Sequence, residues 1–371
     1  MHFICNRDLL LDGIQIAQKA VTSRSTLPAL EGLLLQALPS GQLKITGYDL
    51  EIGIECTVDA EVLEKGSVIF NSRMFGDIIR KMPSEQVDIT VDDRLLAHIT
   101  CGRIHFDIVA LDSAEYPELP QVEGERSFDL PQSTLRSMIR QTLFAVSTSD
   151  TKPVLTGSMF EVLGGELRVI SVDGYRLALR KEPLEGVEDM SFVVPGKTLS
   201  ELLRILKDDE DATVHAVLTR KHIVFEAGNV TVVSRLLEGD FLNYNNAIPK
   251  TGRIFTTVDV RALTNCVERA SLLINEKMKS PVRVHITDHL LEVNCTSTLG
   301  KISDAMDVTS EGGEIEIGFN NRYLLDALKA CEVDQIKLEL TSPLSPCVMV
   351  PTEGDKFLFL TLPVRLKPNE N

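Results

Sequence analysis

Two rhythms of hydrophobic and polar positions alternate along this chain, and the alternation recurs three times. Segments 41–55 (GQLKITGYDLEIGIE), 165–179 (GELRVISVDGYRLAL) and 289–299 (HLLEVNCTSTL) place apolar residues at every second position, which predicts half-buried β-strands. Segments 7–21, 132–146 and 259–271 instead carry apolar residues at helical spacing, and a polar loop with a proline (Pro28, Pro153, Pro281) follows each. A second helical segment occurs in 68–82 (VIFNSRMFGDIIRKM), 192–206 (FVVPGKTLSELLRIL) and 315–331 (IEIGFNNRYLLDALKAC). Each reads as strand, turn and helix, with Asn71, Gly196 and Asn320 where the helix opens. One face of these helices is apolar: Phe75, Ile78, Ile79 and Met82 in the first, Leu199, Leu202, Leu203 and Leu206 in the second, Leu324, Ala327, Leu328 and Cys331 in the third. The repeat period is about 125 residues. Three domains are therefore expected, 1–125, 126–250 and 251–371, divided at EYPELPQVEGERS and NNAIPKTGR. Two helices and several antiparallel strands in each predict an α+β fold, with helices packed on one face of a sheet.

Composition narrows the class without naming a function. No apolar run approaches the roughly 20 residues that span a bilayer, and MHFICNRDLLLDG does not read as a signal peptide, so no membrane association and a cytoplasmic location are expected. The seven cysteines are scattered, with no CxxC pair, and read as buried free thiols. A net charge of −16 repels DNA on average, so nucleic-acid binding requires the basic residues to be gathered on one surface.

The second helices supply such a surface. Opposite their apolar faces stand Arg73 and Arg80, Lys197 and Arg204, and Arg322 and Lys329, each pair seven residues apart and so two turns along one line. Solvated charges on an exposed helix are commonplace, yet six matched positions are all basic in a chain where 38 of 371 residues are Lys or Arg. Arg136, Arg140, Arg261 and Arg269 add to this side less regularly. If all six helices of one chain lined a hole at about 10 Å between axes, the opening would be only about 9 Å across. Twelve helices from two chains leave about 28 Å, enough for a B-form duplex about 20 Å wide.

Catalytic signatures are missing. The sequence contains no Walker A loop, no GxGxxG, no GxSxG and no HExxH, so neither a catalytic residue nor a metal or other cofactor is expected. His285 and His289 are four apart in a strand–turn–strand segment, where that spacing does not put both rings on one face. Asp173–Gly174 reads as a hairpin turn. A hydrolase or lyase with a site between repeated domains, and a scaffold that binds proteins without DNA, are the competing readings.

Over essentially its full length the chain resembles the bacterial DNA sliding clamps, the beta subunits of the replicative polymerase. The marks are SRSTLP at 23–28, DGYRLAL at 173–179, NEK at 275–277, EIGFN at 316–320 and LPVRL at 362–366. The resemblance implies three clamp-type domains per chain and two chains closed head to tail into a ring. That ring would hold double-stranded DNA independently of sequence, with Arg24 joining the basic stripe. It implies a homodimer in which Phe106 and Ile108 of one chain meet Leu272 and Leu273 of the other. It also implies a pocket for short linear peptides of the replicative polymerase, the clamp loader and repair polymerases. The matching positions are Leu155, Gly174, Arg176, Leu177, Pro363, Arg365 and Leu366, with Tyr175 where many relatives carry histidine. Val172, Leu360, Leu362 and Val364 supply apolar surface around them, and Arg176 and Arg365 are expected to hydrogen-bond the peptide. Departures occur at Leu242, which replaces a proline, at Asn246 and Ala247, and in the tail KPNEN beyond Leu366.

Overall fold

The structure is a computed structural model, and it describes residues 1–22, 25–83, 85–122, 124, 126–274 and 280–366. The first third runs β1 (His2–Asn6), α1 (Arg7–Ala17), β2 (Gly32–Leu38), β3 (Gln42–Tyr48), β4 (Ile52–Asp59), β5 (Glu61–Glu64), β6 (Gly66–Asn71), α2 (Ser72–Lys81), β7 (Gln86–Val91), β8 (Leu96–Cys101), β9 (Ile104–Val109) and β10 (Leu111–Asp112). The second runs β11 (Arg126–Pro131), α3 (Gln132–Thr142), β12 (Gly157–Leu163), β13 (Glu166–Val172), β14 (Arg176–Pro183), β15 (Met190–Pro195), α4 (Gly196–Ile205), β16 (Thr213–Leu218), β17 (His222–Ala227) and β18 (Val230–Arg235). The third runs β19 (Ile254–Asp259), α5 (Val260–Ser271), β20 (Val282–Ile286), β21 (Leu290–Ser297), β22 (Gly300–Asp307), β23 (Thr309–Glu311), β24 (Ile315–Phe319), α6 (Asn321–Ala330), β25 (Gln335–Leu340), β26 (Cys347–Pro351) and β27 (Phe357–Thr361). The expected α+β class is observed, and each third is itself doubled: strand, helix and three strands occur twice in succession. No helix among the described residues is long and apolar enough to cross a membrane.

Two compact units result, and neither is a third of the sequence. One comprises 1–136 and 200–236, the other 137–199 and 237–371. In the first unit a nine-stranded sheet has the order β10-β6-β2-β3-β4-β18-β17-β16-β11, and a five-stranded sheet the order β5-β1-β7-β8-β9. In the second unit the nine-stranded order is β15-β12-β13-β14-β27-β26-β25-β19-β23, and a four-stranded sheet runs β22-β21-β20-β24. Each nine-stranded sheet is thus five strands from one third bonded to four from another. The joints are antiparallel, β4 to β18 (Ile54 opposite Val232) and β14 to β27 (Leu177 opposite Leu360). Backbone hydrogen bonds at these joints group the thirds by sheet rather than by sequence.

Capping explains where the helices begin. Asn71 accepts from the Met74 amide, Asp259 from Ala262 and Asn320 from Arg322, so each satisfies a donor that the first turn leaves unpaired. Gly196 differs from the expectation: it is the first residue of α4, after Pro195, and not the cap. A Cβ there would lie 2.8 Å from the Thr156 carbonyl oxygen, so close approach of the two backbones selects glycine. The apolar faces pack as the spacing predicts, with Phe75 and Ile79, Leu199 and Leu202, and Leu324 and Leu328 buried. Ile78, Leu203 and Cys331 are only partly covered, because they sit at the margins of that face. Phe70 and Phe75 stack at 4.5 Å between centroids where α2 meets its own preceding strand. All seven cysteines are free, and burial pushes the Cys331 and Cys347 thiols up to about 12, which keeps them protonated and unreactive.

Helix and sheet approach closely at Gly47, where an added Cβ would lie 2.0 Å from the Ala17 carbonyl oxygen. Gly47→Ala is expected to destabilise the first unit by roughly 1–3 kcal/mol or more, since α1 must lift from β3. The measurement is thermal or denaturant unfolding followed by circular dichroism. A variant that unfolds with the parent would show that the helix terminus yields freely.

Candidate functional site

All six residues of the basic stripe, Arg73, Arg80, Lys197, Arg204, Arg322 and Lys329, are exposed on their helices. The packing of the opposite faces leaves them no other direction. A carboxylate recurs between the two bases of each helix, four residues after the first and three before the second: Asp77, Glu201 and Asp326. Asp77 pairs with Arg80 at 2.5 Å and Glu201 with Arg204 at 2.9 Å, whereas Asp326 holds Arg176 and Lys329 turns to Glu268 of α5 at 2.7 Å. Such exposed pairs contribute little to stability and leave the cations within reach of a stronger anion. Beside Arg73 and Arg80 opens a hollow of about 430 Å³ that Gln18, Thr22 and Glu31 also line. Arg24 lies outside the described residues.

The less regular bases behave differently. Arg136 pairs with Asp208 at 3.4 Å, Arg140 with Glu332, and Arg269 with Asp304 at 2.5 Å, so these three are tied to local carboxylates; Arg261 is exposed. Lys19, which helical spacing did not single out, lies near Glu201 and Arg204. Partial burial lowers its pKa, offset in part by the Glu201 charge.

Of the residues expected to form the peptide pocket, Val172, Leu177 and Leu360 come together on one face of the second unit's nine-stranded sheet. Val172, Leu177 and Leu360 are buried there with Met159, Leu179 and Val348, and Tyr244 of the crossing segment closes one side. The Tyr244 hydroxyl donates to Glu161 at 2.7 Å, and Arg168 donates to the same hydroxyl at 3.4 Å. Leu155, Pro363, Val364 and Leu366 are half-buried, whereas Gly174, Tyr175, Leu242, Leu362 and Arg365 are exposed. Asn246 ends the 3-10 turn Tyr244–Asn246 and Ala247 follows it. Three apolar side chains thus stand open beside a closed apolar floor: Tyr175 at 60 %, Leu242 at 46 % and Leu362 at 37 % exposure.

Local backbone bonds hold this edge. The Asp173 carboxylate accepts from the amides of Tyr175 and Arg176 at 2.9 and 3.0 Å, and Gly174 takes a φ of 91°, which suits glycine. The Leu362 amide donates to the Tyr175 carbonyl and the Val364 amide to the Gly318 carbonyl, both at 2.8 Å. Leu366 then packs where a Cβ on Gly318 would stand, 2.5 Å from its Cδ2. Arg176 is engaged within the chain. Its Nε bonds Asp173 at 2.9 Å, its Nη1 bonds Asp326 at 2.5 Å, and its guanidinium lies 4.6 Å from the Tyr323 ring centroid and 5.5 Å from that of Phe144. It positions the turn, and burial raises the neighbouring Tyr323 phenol.

Of the four residues expected at a dimer interface, the structure exposes two. Phe106 is 39 % exposed on β9 and Leu272 80 % exposed after α5. Ile108, at 9 %, is buried on its own sheet, and Leu273 packs partly against the second unit's core. Phe106 and Ile108 lie two residues apart and so on the same face of β9, opposite Ile99 and Ala97 of β8, and the two differ in cover along that one face. Val109 at 71 % and Leu299 at 66 % are exposed apolar residues that periodicity alone did not mark.

No cluster of three or more His, Cys, Asp or Glu among the described residues could hold a metal ion. His285 instead lies between Glu292 at 2.9 Å and Glu314 at 2.6 Å, and these hydrogen bonds raise its pKa.

Three family models cover the chain in order: the DNA polymerase III beta subunit N-terminal domain at residues 1–120, central domain at 129–243 and C-terminal domain at 245–365. The beta sliding clamps of Halalkalibacterium halodurans and Bacillus subtilis are each 36 % identical, and in both the match covers 98 % of this chain and 100 % of the relative. The crystal structure of the Bacillus subtilis DNA polymerase sliding clamp superposes with a TM-score of 0.95 at 34 % identity, over 99 % of this chain and 100 % of that one. A putative DNA polymerase III beta subunit from Eubacterium rectale gives 0.94 at 35 % identity, with the same coverage. The chain belongs to the bacterial beta sliding clamp family, the beta subunits of DNA polymerase III, and is a non-catalytic factor that confers processivity on a polymerase.

Proposed function

We propose that two copies of this chain close head to tail into a ring around duplex DNA, and that partner proteins dock on the ring through short linear peptides. The observation that carries the ring is a count of strands. Both joints inside the chain unite five strands with four, always through the last strand of a half-repeat. The five-stranded sheet ends at β9 and the four-stranded sheet at β22, each the last strand of its half-repeat and each an open edge. Pairing β9 of one copy with β22 of another repeats the internal joint and leaves no open edge at that place. Phe106 and Val109 on one side and Leu272 and Leu299 on the other are apolar surface for such a contact.

A closed ring gives processivity without strong affinity, because the link to DNA is topological. Contacts should go to phosphates, since sliding is incompatible with base readout, and the exposed pairs on α2, α4 and α6 are long cations of the required kind. The polymerase is then held by the groove at Leu177 and Leu360, whose exposed Tyr175, Leu242 and Leu362 can cover two or three apolar anchors of an extended peptide.

Replacing Phe106 and Leu272 together by glutamate is expected to give a folded monomer at micromolar concentration, read by light scattering. A dimer that persists would remove these surfaces from the interface. Changing Arg73, Arg80 and Arg204 to glutamate should leave the dimer intact while lowering polymerase processivity and retention on closed circular DNA. Retention by the unaltered chain should be lost once the circle is cut; unchanged processivity in the variant would make the stripe an ordinary solvated surface. Truncation before Leu362 should weaken a labelled peptide with glutamine followed by spaced Leu and Phe by at least about tenfold, the loss of one buried anchor at roughly 1.5–3 kcal/mol. Equal binding by both proteins would exclude the C-terminal segment from the groove.

A further inference from the structure

The two nine-stranded sheets carry the same surface in two chemical versions. On the second sheet, Leu177, Leu360 and Val348 lie side by side across three strands, and Ile170, Leu179 and Leu358 form the next row. On the first sheet the matching row is Gly53, Val233 and Val224, where Leu119 fills the space over Gly53, its Cδ2 being 2.5 Å from where a Cβ would stand. The next row there is Thr46, Glu55, Thr231 and Glu226, polar throughout. A tyrosine closes both surfaces: Tyr244 on the second, and on the first Tyr116, whose buried hydroxyl donates to the Thr46 carbonyl at 3.2 Å.

Beneath the segment that carries Tyr116 lies a cavity of about 800 Å³. Leu34, Val224 and Val233 supply an apolar floor. Among the described lining residues the charged ones are a single lysine, Lys44, and three glutamates, Glu55, Glu118 and Glu226. Lys44 is engaged with Glu55 at 3.1 Å, and Thr46 also donates to Glu55 at 3.2 Å. Glu226 is exposed, and no hydrogen bond or ion pair to it is found among the described residues. The surface therefore offers an apolar strip bordered by an uncompensated carboxylate.

We propose that this cavity is a second docking site, taking an extended peptide segment of a partner protein that bears an arginine or lysine next to an apolar residue. The apolar side chain lies on Leu34, Val224 and Val233, and the cation meets Glu226. Charge complementarity selects this occupant over the uncharged apolar peptide suited to the other groove: burying an apolar anchor beside Glu226 would leave its carboxylate desolvated and unpaired, whereas a guanidinium pairs with it. The proposal stands on the cavity and charges of the first sheet, and it holds whether or not the groove at Leu177 and Leu360 is occupied.

The test uses the full chain and two fluorescein-labelled pentapeptides, one with arginine between two leucines and one with glutamate in its place, read by fluorescence anisotropy. The arginine peptide should bind saturably, more weakly as salt rises, and about tenfold more weakly to Glu226→Gln. Thr231→Lys, which places a tethered cation beside Glu226, should weaken it likewise, and truncation before Leu362 should not. Melting curves confirm that each variant is folded. Equal binding of the two peptides, indifference to both substitutions, loss of binding on truncation alone, or no saturation at millimolar peptide would each overturn the proposal.

Discussion

Antiparallel pairing between the last strands of half-repeats governs this molecule. Each half-repeat of strand, helix and three strands covers one sheet face with its helix and leaves one edge of unpaired amides and carbonyls. An open edge is a standing invitation to pair, and the chain answers it twice internally, β4 with β18 and β14 with β27. The consequence reaches into every later feature. Strands distant in sequence become neighbours, compact units no longer follow the repeat, and each joint brings together the side chains of two thirds on one continuous surface. Both the groove at Leu177 and Leu360 and the cavity at Val224 and Val233 lie across such joints.

Electrostatics adds a second layer. A chain with 54 acidic and 38 basic residues keeps bases exposed on three helices while placing a carboxylate between them at Asp77, Glu201 and Asp326. Two of these carboxylates pair within their own helix, which lowers the local positive potential without removing the cations from solvent. For a protein whose hold on DNA is proposed to be topological, moderated attraction fits better than tight binding. The third carboxylate, Asp326, is drawn instead to Arg176, and so links the helix carrying the third basic pair to the turn beside Leu177.

The two joint surfaces illustrate how a shared backbone can be given separate chemistry. Strand register and a covering tyrosine are common to both. The row that is Ile170, Leu179 and Leu358 on one sheet is Thr46, Glu55 and Thr231 on the other, so the first closes into an apolar cluster while the second leaves a polar cavity. The turn that precedes each joint strand differs in the same spirit: Asp49 and Asp173 accept the same two amides, yet the residue that follows is Leu50 at a φ of 74° in one and Gly174 at 91° in the other.

By itself the sequence determined what depends on neighbours a few residues away. Alternation over 41–55 and 165–179, the apolar faces of α2, α4 and α6, the caps at Asn71 and Asn320 and the outward bases opposite those faces all follow from local period and local hydrogen bonding. The threefold repeat and the resemblance of short motifs such as DGYRLAL then carried the family. Tertiary structure decided whatever depends on residues far apart. Gly196 is explained by the Thr156 carbonyl, Arg176 by Asp326, and the burial of Ile108 beside an exposed Val109 by the sheet that β9 joins. The doubling within each third was hidden because its halves share topology and little sequence. Strand pairing was hidden for the deeper reason that an edge of backbone amides and carbonyls is nearly the same for every sequence, so only packing of the whole chain selects which edges meet.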